Sequence, residues 1–264
     1  MTTQIDFNQI KWRCSELGAI MTNFDSKELT KGHETAGKEM LRAHLHGVTK
    51  FYGNKYTRKG IFQEEAAITL LARYKKQMFK KNTERLSNFF ITGHPDIYQG
   101  ETIKTAKRGW DTKCSFDAGT FPHPDEKLDI GYESQNHGYM YLTGAEDWTT
   151  AYCLVNGLAD DILQAKKSLW YRLGQPDEYD DEYVYQCQVI EKNMIFEMEV
   201  FKRDNPYFDL HTPLDKWEDW PLHERVIEKL VKRDENVIAK IAERVQKERV
   251  FMKDYYEKYY LKAS

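Results

Sequence analysis

Near residue 89 the apolar residues of this chain change their spacing, and that change restricts the fold to a mixed helix and sheet architecture. Upstream, residues 35–47 (TAGKEMLRAHLHG) have helical spacing and end at Gly47, a C-cap residue. Residues 61–81 (IFQEEAAITLLARYKKQMFKK) read as a longer helix in which Ile61, Ile68, Leu71, Ala72, Met78 and Phe79 share one face. Glu64 lies near the middle of that face, and Glu65 lies about 100° away on its edge. From Phe89 onward the segments are short, aromatic and bounded by glycine. Residues 89–93 (FFITG) and 109–114 (GWDTKC) read as strands. Residues 97–99 and 102–105 are expected to pair across Gly100, a meander that brings Asp96 and Asp111 into one sheet.

After a loop containing Pro122 and Pro124, residues 126–143 read as a helix ending before Gly144, and residues 148–156 (WTTAYCLVN) return as a strand. The order helix, strands, helix, strand indicates an α/β fold with a central mixed sheet flanked by helices. Residues 159–173 look helical, residues 184–204 have mixed spacing, and Pro206, Pro213 and Pro221 break the stretch before the last helix. Asp234 is the expected N-cap of that helix, residues 235–260, with Val237, Ile238, Ile241, Val245 and Phe251 as its apolar stripe. We read residues 1–264 as one domain, with a core at 12–156 and a mainly helical extension at 157–264 that serves packing or oligomerisation.

The 264 residues are 41% hydrophobic and 14% aromatic, enough for a sizeable core. A formal charge of −3 gives no global basic field, so any nucleic acid must be held by a local patch. No stretch approaches the ~18 apolar residues of a membrane span. The polar beginning has no signal-peptide core, and the expected compartment is the cytoplasm. Cys14, Cys114, Cys153 and Cys187 are too far apart for a C-x-x-C zinc site.

The candidate chemistry lies in Asp96 and in Asp111-Thr112-Lys113. Two residues apart on a strand, Asp111 and Lys113 point to the same face, with the Thr112 backbone carbonyl between them at the edge. Magnesium takes oxygen ligands and keeps several waters, so a pair of carboxylates and a carbonyl suffice to hold it. A neighbouring ammonium can orient an attacking water or neutralise charge on a phosphate. Alone, Asp-x-Lys is a common charged triplet. Its place in a strand-like segment one short meander after Pro95-Asp96 gives it weight.

His94-Pro95-Asp96 with Asp111-Thr112-Lys113 resembles the signature of the PD-(D/E)XK nuclease superfamily, with Asp where Glu is commoner before x-Lys. Residues 59–67 (KGIFQEEAA) are similar to the Gly-x-x-x-Glu-x-x-Ala helix of its phage lambda-type exonuclease and RecB-type branch. Residues 132–135 (YESQ), with Tyr139 and Met140, resemble the helix that carries a glutamine into the site. The resemblance covers residues 12–156 and implies a restriction-endonuclease-like core. It implies Asp96, Asp111, the Thr112 carbonyl and Glu64 around Mg²⁺, with Mn²⁺ as a substitute, and Lys113 and Gln135 beside them. It further implies a DNA exonuclease acting on linear duplex ends, encoded by a phage or prophage for recombination or repair. A single-strand annealing recombinase and further copies of the chain are the implied partners. A sequence- or structure-specific endonuclease of the same fold, or an inert DNA-end-binding module, are the alternatives.

Two departures stand out. Leu17-Gly18-Ala19-Ile20 resembles the branch's Leu-Gly-x-Ile segment, but Glu16 occupies the place of the arginine that meets a 5′-phosphate in lambda-type enzymes. The four cysteines do not fit the cluster-binding pattern of some RecB-type relatives. For DNA contacts we expect a basic track of Lys104, Lys107, Arg108, Arg58 and Lys59, together with Tyr139. Core packing is the better assignment for Trp217 and Trp220, and a structural role for His94.

Overall fold

The computed structural model describes residues 5–48 and 53–261. The chain begins with β1 (Trp12–Arg13) and the short α1 (Gly18–Met21), then runs through α2 (Lys31–His46) and α3 (Lys55–Lys75). The strands β2 (Lys80–Lys81), β3 (Leu86–Ser87), β4 (Ile91–Gly93), β5 (Ile97–Gln99) and β6 (Arg108–Cys114) come next. Helix α4 (Ile130–Thr143) joins β6 to β7 (Asp147–Cys153). The C-terminal part contains α5 (Ala159–Arg172), α6 (Asp181–Met194), α7 (Met198–Asp204), β8 (Val226–Lys232) and α8 (Glu235–Tyr256).

A five-stranded sheet runs in the order β2-β5-β6-β7-β8, and a small sheet in the order β1-β4-β3. Only β6 and β7 are parallel within the larger sheet, so their connection through α4 is a crossover. One face of the sheet packs Trp110, Ala151 and Cys153 against Ala67, Leu70 and Leu71 of α3. The opposite face carries Trp148, packed with Tyr139 and Met140 of α4 and with Ile241 and Val245 of α8. Strand periodicity therefore sends Asp111 and Lys113 toward α4. Gly109 makes that face possible: a Cβ there would lie 2.3 Å from the Trp148 ring, its register partner on β7.

Helix α2 ends at Gly47 as expected, and its start lies at the Thr30 cap, earlier than the apolar pattern indicated. The strands at 109–114 and 148–156, the helix ending before Gly144 and the Asp234-capped last helix are all present within a few residues of expectation. The long helix of residues 61–81 is displaced. Asn54 caps it and Lys76, at φ 51°, ends it, so that β2 can turn back beside β5. Its packed face is Lys59, Ala67, Leu70 and Leu71, whereas Ile61 is 70% exposed and Met78, beyond its end, 90% exposed. Residues 102–105 are not a strand. Ile103 plugs the core in a single helical turn, and β5 pairs with β6 instead.

The segment 184–204 is helical, as α6 and α7. Strand β8, which sequence periodicity did not single out, pairs with β7 along its whole length, from Asp147↔Lys232 to Cys153↔Val226. The C-terminal third thus completes the central sheet. No helix among the described residues is long and apolar enough to cross a membrane.

Helix α8 carries a buried carboxylate, Glu248, neither of whose oxygens has a hydrogen-bond partner among the described residues. Its Oε2 sits against Gly37 of α2. Burial pushes its pKa from 4.5 up to about 8, with Arg244 of its own helix pulling down and Glu34 of α2 pushing further up. Because the folded-state value is the higher one, this contribution is intact below the unfolded pKa and is lost as pH rises through about 8. Glu248→Gln should therefore be more stable than wild type on the alkaline side, with the difference shrinking toward pH 4.5. Urea melts of both proteins across that range check this, and a pH-independent difference contradicts it.

Candidate active site

Strand β5 pairs with β6 only from Arg108 to Trp110, so β6 continues past its neighbour with an open edge. Asp96, the residue before β5, fills that edge. Its Oδ2 accepts from the Thr112 amide at 2.7 Å and from the Thr112 hydroxyl at 2.9 Å. On the α4 face the Lys113 ammonium lies 2.5 Å from Asp111 Oδ2, off the line of a hydrogen bond. Lys113 Nζ donates to Gln135 Oε1 at 3.3 Å, and Gln135 Nε2 donates to Asp111 Oδ1 at 3.2 Å and to the Tyr139 oxygen at 2.7 Å. The amide thus holds both charged groups from one side, and the Tyr132 ring lies 4.7 Å below the ammonium.

Burial, and then the Asp111 carboxylate, push Asp96 up to about 7, against the Thr112 amide and the Lys113 ammonium; Glu64 adds to the rise. For Lys113, burial disfavours the cation, but the field and contact of Asp111 outweigh it and hold its pKa above the ordinary lysine value. The Tyr139 phenol is raised well above its ordinary value by burial and by Asp111, so it stays protonated. The buried Asp111 carboxylate and the half-buried Asp96 therefore share one ammonium.

That pair of neighbouring carboxylates, with only one ammonium to balance it, fits a hard divalent cation. Glu64 is close enough to act on Asp96 electrostatically, but its carboxylate is paired with Lys81 at 2.9 Å. Among the described residues no three His, Cys, Asp or Glu side chains converge as a ready-made metal cluster.

The expected DNA contacts are dispersed. Lys104 and Lys107 are exposed, and Arg108 is exposed but 3.4 Å from Asp147. Arg58 is paired with Asp161 at 2.5 Å. Lys59 is fully buried and donates to the Phe116 and Val155 carbonyls, which corrects its assignment to a surface track. Tyr139 is corrected in the same way: it lies in the core under Gln135. Sequence reasoning missed Lys81, whose ammonium joins Glu64 and Glu65, because helical spacing assigned it to a helix end. Its strand position beside Ile97 became visible only with the β2–β5 pairing.

No known family profile matches this sequence, and no curated protein sequence does. Solved structures do. A phage related exonuclease from Haemophilus somnus is 29% identical, with a TM-score of 0.68, over 96% of this chain and 99% of that one. An alkaline exonuclease (LHK-Exo) from Laribacter hongkongensis is 13% identical, with a TM-score of 0.56, over 97% of this chain and 94% of that one. The same enzyme in complex with dAMP is similar at a TM-score of 0.55 and 13% identity, over 97% and 96% of the two chains.

Proposed function

We propose that this chain is a lambda-type exonuclease of the PD-(D/E)XK superfamily, a Mg²⁺-dependent DNA exonuclease that digests linear duplex from its ends. The observation that carries this reading is the set of Asp96, Asp111, Lys113 and Gln135 gathered at the open edge of β6. The phage-related neighbour, similar over nearly the whole of both chains, supports a phage or prophage origin, and recombination or repair is the role we propose for it. An annealing recombinase is the partner we propose for that role.

In this reading Asp96 and Asp111 would hold the ion, with the Thr112 carbonyl and Glu64, now paired with Lys81, as the further protein ligands. The ion supplies Lewis acidity to the phosphate and to the attacking water. Lys113 keeps its proton, held by Asp111, and presents positive charge to the attacked phosphate and to the water. Gln135 bridges this ion pair, accepting from the Lys113 ammonium and donating to the second oxygen of Asp111, and so orients both groups. The attacking water passes a proton to bulk solvent as its oxygen forms the new bond to phosphorus, the P–O bond to the leaving group breaks, and the departing oxygen takes a proton from solvent.

Linear, nicked, closed-circular and single-stranded DNA incubated with Mg²⁺ separate this reading from its rivals. We expect loss of linear duplex and survival of closed circles. Cutting of closed circles identifies an endonuclease, and persistence of every form refutes hydrolysis.

Tyr139 has a measurable part. Tyr139→Phe removes the acceptor of a 2.7 Å hydrogen bond from Gln135. One such bond is worth about 1 kcal/mol, so single-turnover cleavage should slow by about fivefold. DNA affinity should not change. A variant that cleaves at the wild-type rate would show that Gln135 is held well enough without the phenol.

A further inference from the structure

We infer that Asn82 is a positioning residue for Asp96. The inference rests on the nuclease reading for what Asp96 does, and on geometry alone for how Asp96 is held.

Asn82 lies just after β2, whose residues Lys81 and Lys80 pair with Ile97 and Tyr98 of β5. It is 2% exposed. Its backbone N–H donates to the Asp96 carbonyl at 2.8 Å, and its side-chain Nδ2 donates to the Pro95 carbonyl at 2.9 Å. Those carbonyls belong to the peptide planes on either side of the Asp96 Cα. One residue therefore clamps both planes, which fixes the φ and ψ of Asp96. With the backbone fixed, the carboxylate is aimed at the Thr112 amide and toward Asp111.

The rest of the Asn82 amide is fully used. Nδ2 also donates to the Glu84 carbonyl at 2.7 Å, and Oδ1 accepts from the Glu84 amide at 3.1 Å. This local turn locks the amide orientation, so Nδ2 and not Oδ1 faces Pro95. Pro95 has no N–H of its own and cannot tie the segment to the sheet. The clamp supplies that anchor.

Residues that orient a ligand of a metal typically matter by about 10–100-fold in metal affinity or activity. Asn82→Ala should therefore raise the Mg²⁺ concentration for half-maximal single-turnover cleavage by about tenfold or more and lower the saturated rate. Its KM for DNA and its melting temperature report whether the effect is confined to the site: DNA affinity should stay at the wild-type value. Asn82→Asp keeps the acceptor for the Glu84 amide and removes the Nδ2 donor to the Pro95 and Glu84 carbonyls, so it should shift the Mg²⁺ midpoint in the same direction as Asn82→Ala. If Asn82→Asp matches wild type in Mg²⁺ midpoint and rate, the donor to Pro95 does not position Asp96 and the inference is overturned. If Asn82→Ala does not fold, the Asp variant carries the test alone. Wild-type protein in the same titration tests the nuclease reading separately: cleavage by wild type with unaltered variants removes only the role of Asn82, whereas no Mg²⁺-dependent cleavage by wild type removes both.

Discussion

Lys113→Ala should bind DNA and Mg²⁺ like wild type and cleave about 10²–10³-fold more slowly, the loss expected when one preorganised stabilising charge is removed. A protonated lysine does not ligate a metal, and its pKa is held above the ordinary lysine value by Asp111. The substitution also leaves Gln135 Oε1 without its donor and Asp111 with one fewer counter-charge. Metal affinity should therefore hold or rise slightly. Lys113→Arg should rescue little, since a planar guanidinium cannot occupy the 2.5 Å position beside Asp111 Oδ2 while keeping the Gln135 contact. Single-turnover cleavage at saturating Mg²⁺, run beside a metal titration, checks both statements. Wild-type cleavage by Lys113→Ala would reduce the triplet to an ordinary charged strand.

Asp96→Asn and Asp111→Asn should each fall to background, a larger loss than the ~10²–10³ of a single stabilising donor, because each removes one of the proposed ligands and a negative charge that would attract the cation. The stability of the metal-free protein should move the other way for Asp96→Asn. Asp96 is raised to about 7 in the folded protein from an ordinary 3.8, so its ionisation costs stability as pH rises through that window. The amide removes that cost, and Asp96→Asn should melt higher than wild type at alkaline pH without metal. Calorimetric Mg²⁺ binding and thermal melts in EDTA measure the two effects. Retained Mg²⁺ binding by Asp96→Asn, or a lower melting point in EDTA, would contradict the assignment.

The parts of this fold that could be read from the sequence are those fixed by local pattern. The glycine-bounded strand around Asp111, the α4 helix with Gln135 and Tyr139 on one face, and the Asp234 cap all derive from spacing and caps. The parts that could not be read depend on pairing across the chain. Nothing local in Lys80-Lys81-Asn82 distinguishes a helix end from an edge strand, yet the pairing with β5 places Lys81 beside Glu64 and Asn82 beside Asp96. Lys59 illustrates the reverse error. A lysine in a basic run resembles a phosphate contact, but its two carbonyl acceptors lie just past the ends of β6 and β7, far from it in sequence. Residues 226–232 alternate too weakly to announce a strand, because β8 is an edge of the sheet and most of its side chains are only partly covered.

The most direct test of the central claim is chromatographic analysis of the nucleotides released from end-labelled linear duplex by wild type and by Asp111→Asn. Wild type should release mononucleotides with Mg²⁺ and none with EDTA, and Asp111→Asn should release none in either. The account is contradicted if wild type leaves linear duplex intact with both Mg²⁺ and Mn²⁺, or if Asp111→Asn releases nucleotides as wild type does.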